Sequence, residues 1–403
     1  MASQGIARFR GQGRAAAVFL ALMLAAGAVL AVLPAAAQNP GAPAAERTAM
    51  EQYLRARSAF DERATEYWRS VGEKRRVRNE KRRNNERLAL EDYVLDQPPV
   101  YSGPPRPPRP PGPPTPAEPR RPEMPVVADF LRNAAQEFGF VPRRPSTELE
   151  FKRAYARAAL DAGLTLEQAV GIYAFETGGN GVYDTQAGLI GAGKRALSPA
   201  LGYNQLLSTN SIGLLAEHGE TLIELLARKA QAAAGTEKAA LLGKLDALKR
   251  MVAYSRTVPN RWSEHDKLAK TTPGGIGIHA AVLDLDLGPW LQARKLVTSV
   301  LFARARGYKQ ALSAAELELM NFTGDGNGID MVLMPNELRR RVPTANFFQQ
   351  EGYERNPIAR RTGVVAALIE DIYGRMERSK RAQGAQDLDA AFADVAAALV
   401  GRR

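Results

Sequence analysis

The chain has 403 residues, 55 Lys and Arg against 43 Asp and Glu, a formal net charge of +12, three histidines and no cysteine. The absence of thiols excludes a disulfide framework, Cys-ligated metal, a thiol nucleophile and an acylated N-terminal Cys, so the chain does not read as a lipoprotein. His218, His265 and His279 show no ligand spacing, so neither a metal nor a cofactor is expected, and the chemistry left is that of carboxylates, hydroxyls and amides.

Residues 1–37 read as a signal peptide: Arg8, Arg10 and Arg14 form a basic head, Ala15 to Leu33 an apolar run, and Ala35-Ala36-Ala37 an A-x-A site before Gln38. An uncleaved anchor is the alternative, since the run approaches spanning length. Either way the bulk of the chain is expected outside the cytoplasm, in the periplasm. There the positive charge reads as attraction to anionic envelope polymers and headgroups, not to nucleic acid.

Residues 38–97 are expected to be a charged helical arm, partly disordered. Tyr53, Phe60, Tyr67 and Val71 give it a thin apolar seam, and Lys74–Arg87 gives it a basic face with few apolar partners. Its functional reading is an electrostatic tether to an anionic envelope surface; the alternative is a seam docked on the following domain. Residues 98–125 are dense in proline and predict an extended polyproline II spacer, placing a domain boundary near residue 125.

From Val126 the pattern is helical and all-α, with no sustained alternation. Thr147/Glu150, Thr165/Gln168, Thr221/Glu224 and Ser313/Glu316 are capping boxes before apolar-periodic runs, and Gly163, Gly235 and Gly307 are stops. Tyr183–Leu189 reads as a short irregular or strand-like excursion, 221–256 as a helical hairpin, and Thr257–Gly277 as loop. The Asp325-Gly326-Asn327-Gly328 stretch reads as a turn, because Ile329 and Asn336 replace the oxygen ligands of a calcium loop. Two helical segments close the chain, around 363–377 and 388–399; the second, within 381–403, is expected to be an exposed tail.

The chemistry concentrates at the end of the helix opened by Thr165. Ala169, Ile172 and Tyr173 mark its apolar stripe, and Glu176 is the next member of that face. A carboxylate on a core-facing stripe is costly unless partnered, and the negative end of the helix dipole adds to that cost. Both effects raise its pKa toward what a general acid needs. The ordinary alternative is a solvated or Arg-paired Glu. Gly178 and Gly179 end the helix and leave Glu176 at a cleft.

Three segments here resemble motifs of the soluble lytic transglycosylases, peptidoglycan-cleaving enzymes with a lysozyme-like fold. They are Glu176-Thr177-Gly178, Gly202-Tyr203-Asn204-Gln205-Leu206 after Ser198-Pro199-Ala200-Leu201, and Met320-Asn321-Phe322-Thr323-Gly324, which lacks the family's Tyr before the Asn. The resemblance covers about 126–380. It implies a lysozyme-like domain binding peptidoglycan glycan strands and cleaving the MurNAc–GlcNAc bond with a 1,6-anhydro product, without cofactor. Glu176 would be its single catalytic acid/base, with Thr177, Tyr203, Asn204, Gln205 and Asn321 binding substrate. Two other readings stay open: a muramidase hydrolase with the same Glu, and a non-catalytic peptidoglycan-binding scaffold. Trp262 reads either as a sugar-stacking or as a packing residue.

Overall fold

The computed structural model describes residues 44–84, 86–108, 123–189 and 195–400. The leader with its cleavage site and much of the proline-rich segment lie outside these residues. The described chain is all-α: apart from isolated bridges such as Gln186 to Leu201 and Leu201 to Leu206, no strand occurs in it. No described helix is long and apolar enough to cross a membrane.

In chain order the helices are α1 (Ala44–Arg83), α2 (Val127–Phe138), α3 (Glu148–Asp161), α4 (Leu166–Thr177), α5 (Ser208–Ala232), α6 (Gly235–Ser255), α7 (Trp262–Thr271) and α8 (Pro273–Ile278). They continue as α9 (Gly288–Ala305), α10 (Ala314–Thr323), α11 (Asp325–Val332), α12 (Asn336–Arg339), α13 (Gln350–Glu354), α14 (Pro357–Thr362), α15 (Val365–Ser379) and α16 (Gln383–Val400). Among the described residues, one unit consists of 44–59 with 101–108, and in it Tyr53 and Tyr101 meet edge to face at 6.3 Å. The second unit takes in the described residues of 60–100 and those from 123 to 400, and has two main cores. One core gathers α3, α4, α9, α10, α11, α15 and α16. The other gathers α2, the α5–α6 hairpin, α7 and α8.

Three of the four capping boxes open helices: Thr147, Thr165 and Ser313 accept the backbone N–H of Glu150, Gln168 and Glu316. Thr221 does not. The hairpin's first helix starts earlier, at Ser208, and Thr221 lies inside it. The 257–277 segment is irregular only as far as Arg261; from Trp262 it is taken up by α7 and α8, where loop was expected. Thr272 caps α8 by accepting the Gly275 N–H at 3.0 Å, and Pro273 takes the first helical position. Glycine is needed there for contact, because a Cβ on Gly277 would lie 2.7 Å from the Ala134 backbone N. Asp325–Val332 is likewise a helix rather than a turn, with Gly328 seated on the Met320 backbone. The terminal helix α16 is no exposed tail: Ala385, Leu388, Ala391 and Phe392 are buried against α3 and α4.

The basic arm also departs from expectation. From Phe60 onward it belongs to the second unit, so residue 125 is not the edge of the folded body. Tyr67 and Val71 pack with Ala345, Tyr353 and Ala359, and Arg78 is only 1% exposed. Arg78 donates to the carbonyls of Asp92 and Asn346, both at 2.9 Å, and stacks over Tyr93 at 4.7 Å. Arg82 pairs with Asp330 and Lys81 with Asp92. Much of the expected tether is therefore committed to internal partners.

Candidate active site

Helix α4 runs through the middle of its core. Gln168 to Ala174 are buried without interruption, so it is enclosed on all sides where an amphipathic helix was expected. Its start is fixed by the reciprocal box, in which Gln168 also accepts the Thr165 N–H at 3.0 Å. Its end is set by Gly178 and Gly179, both left-handed; a Cβ on Gly179 would meet the Ser379 carbonyl oxygen at 2.1 Å. The chain must therefore turn away after Thr177, which leaves Glu176 at the mouth of a cleft of about 760 Å³.

Glu176 keeps partial exposure toward that cleft while dense protein surrounds the rest of it. Asn321, on α10, donates Nδ2 to Glu176 Oε1 at 2.9 Å, so the first and third motifs meet although 145 residues separate them. One turn earlier on the same face stands Glu318, fully buried. The Glu176 and Glu318 carboxyl groups perturb each other's titration, and both Glu318 oxygens lie buried with no hydrogen-bond partner among the described residues.

The pair titrates as a unit. Burial pushes the Glu176 carboxyl up to about 7, opposed by the neighbouring Glu318 carboxyl, by the Asn321 hydrogen bond and by the charge of Arg375. Glu318 is pushed well above the usual carboxyl range by burial and then by the Glu176 charge. Glu318 escaped the sequence reading because a Glu beside the capping Glu316 looks solvated. The signal was there: with the helix start fixed at Ser313, positions 318 and 321 fall on one face.

The second motif is a tight turn closed by reciprocal Leu201 and Leu206 backbone hydrogen bonds at 2.9 Å. Gly202 has φ +81°, and a Cβ there would lie 2.6 Å from Gln292 Nε2. Of the three residues expected to line the cleft here, only Gln205 does, with φ +44°. Its Nε2 donates to Thr185 O at 3.1 Å and Gly202 O at 2.7 Å. Tyr203 and Asn204 are instead buried supports. The Tyr203 hydroxyl donates to Glu148 within a cluster of Phe151, Tyr155 and Tyr173, and Asn204 bonds Tyr155 and Gln292. Thr177 also turns inward, donating to the Tyr173 carbonyl at 2.7 Å, and is not part of the cleft wall.

The opposite wall comes from the first turns of α5 (Thr209, Asn210, Gly213, Glu217) and from α7. Trp262, 56% exposed, faces the cleft as a flat apolar platform, as its stacking alternative requires. His265 closes part of the floor with its ring buried, and burial lowers its pKa. His279 lies elsewhere, between Ser211 and the Pro199 carbonyl, pushed down to about 4 by burial; it is a neutral support for the segment leading into the second motif. Asp184, the carboxylate nearest Glu176 in sequence, is paired with Arg144 and does not line the cleft. Asp325 and Glu217 do line it. No family model, curated protein or solved structure matches the chain.

Proposed function

We propose that this protein is a lytic transglycosylase acting on peptidoglycan in the periplasm, with a lysozyme-like arrangement of helices about its cleft. The observation that carries this reading is the elevated Glu176 carboxyl at the cleft, held by Asn321 and faced from the opposite wall by the Trp262 platform. An acid poised near neutrality suits protonation of a glycosidic oxygen. Glu176 gives its proton to the leaving oxygen as the anomeric C–O bond breaks. The resulting carboxylate then removes the proton of the muramic acid 6-hydroxyl, whose oxygen bonds to the anomeric carbon and closes the 1,6-anhydro ring. Glu318, fully buried, does not reach the substrate; its carboxyl acts on the acid through the shared titration of the pair.

A hydrolase reading has its own support, because Asp325 and Glu217 face the same cleft and a water-activating carboxylate belongs to inverting chemistry. Digestion of purified sacculi with mass analysis of the products separates the two. Anhydro-muramic ends are expected; reducing ends would transfer the assignment to the hydrolase. Intact strands would leave a peptidoglycan-binding scaffold.

A further inference from the structure

Beside the cleft lies a second pocket of about 440 Å³, and Gly324 and Asp325 line both. Its wall is a cluster of guanidinium groups: Arg75, Arg78, Arg82 and Arg83 from α1 and Arg306 after α9. Asp325 and Asp330 are the carboxylates that line it, so five cations face two anions. Asp330 is already engaged by Arg82, and Asp325 accepts the Ser299 hydroxyl at 2.6 Å.

Two features make this more than a charged surface. Arg78 is almost entirely buried, yet its two hydrogen bonds go to carbonyl oxygens and its Nε finds no partner among the described residues; the Nε of Arg75 is in the same state. Burial and the neighbouring Arg82 and Arg75 charges push the Arg78 guanidinium down to about 10, the mark of a cation short of counter-charge. In addition, α11 opens into the pocket. Its first residue follows Gly324, which carries no side chain to cap the free N–H groups of Asp325, Gly326 and Asn327.

We propose that this pocket is an oxyanion-binding subsite. On the reading of the neighbouring cleft as a peptidoglycan site, on which this extension rests, its ligand is a free carboxylate of the peptide carried by the bound strand. Guanidinium forks and helix N–H groups recognise carboxylate and phosphate alike, so the chemistry is shared and the source must be tested. Arg83 and Arg306 are exposed rim residues whose replacement spares the buried packing.

Isothermal titration at low salt, with the full-length protein and the Arg83→Gln/Arg306→Gln variant, uses three probes: inorganic phosphate, a muramyl peptide with free carboxylates, and that peptide amidated. The expected result is saturable binding of phosphate and free muramyl peptide, weakened at least ~10-fold by the double substitution and by amidation, with an unchanged melting curve. Unchanged binding of both probes in the variant would overturn the subsite altogether. Phosphate binding lost in the variant while the muramyl peptide binds equally well with or without its carboxylates would keep the anion site but overturn its link to the strand. Sacculus digestion separately decides whether the cleft reading itself stands.

Discussion

Replacing Glu176 by Gln isolates the titration of the carboxyl pair. The amide keeps the shape and can still accept from Asn321 Nδ2, now 2.9 Å from the carboxylate oxygen, but it cannot ionise. In the parent, Glu176 is raised from 4.5 to about 7 in the folded state, chiefly by burial. A carboxyl held above its unfolded value costs nothing while both states are protonated. Stability is then lost as pH rises from about 4.5 through about 7, because ionising the folded form is the harder of the two. At ~1.4 kcal/mol per pH unit the loss is on the order of 2–3 kcal/mol, allowing for cleft water on one side. The Gln variant escapes it, and Glu318, relieved of a neighbouring charge, titrates more easily as well. Urea unfolding of both proteins at pH 5 and pH 8 should therefore show the variant gaining about 2–3 kcal/mol relative to the parent over that interval. Sacculus cleavage should meanwhile fall at least ~100-fold. A stability difference equal at the two pH values within ~0.5 kcal/mol would refute the elevated carboxyl, and undiminished cleavage would refute its role as the acid.

Asn321→Ala removes a donor that favours the ionised acid, so cleavage should drop ~10-fold or more and the alkaline limb of its pH profile should move upward. A limb that moves down would contradict the hydrogen bond. Gln205→Ala, whose side chain braces the second motif from within the cleft, should lower activity without altering the product mass. Asn346→Ala should cost ~2–4 kcal/mol in urea melts, because it strands the Val94 N–H and C=O that Asn346 now satisfies at 3.0 and 2.8 Å. A loss under ~0.5 kcal/mol would mean that the 90–96 segment is not held this way.

The legible parts of the sequence were those whose partners lie within a few residues. Three capping boxes, the left-handed glycines after α3, α4 and α9, and the all-α pattern are local signals. Glu176 was readable because a carboxylate broke an apolar stripe, and Asn321 because a degraded motif kept its amide. What failed was set by distant chain. Thr221 and Glu224 have the spacing of a cap, but the helix runs on behind them to Ser208, carried by the buried Ile212, Leu214 and Leu215. The 273–278 stretch is helical despite its glycines: Thr272 and Pro273 start it, and Gly277 lets it pack directly on the α2 backbone. Tyr203 and Asn204 sit in a motif that reads as cleft lining, yet the four-ring cluster and Gln292 pull both inward, leaving Gln205 to face out.

The basic arm shows why composition alone misjudged a segment. A run of arginines with little apolar surface looks unable to bury itself, because the usual route is a carboxylate partner. Arg75 and Arg78 take another, using the backbone carbonyls of Asp92, Asn346 and Phe348, with Tyr93 and Phe347 covering the guanidinium faces of Arg78. Carbonyl acceptors satisfy hydrogen bonds but return no full negative charge, so docking the arm this way concentrates positive potential at the buried end. That potential falls on the pocket whose edge, at Gly324 and Asp325, is also the edge of the cleft that holds Glu176. Folding the arm onto the domain and supplying an anion site beside the acid are thus two consequences of the same packing.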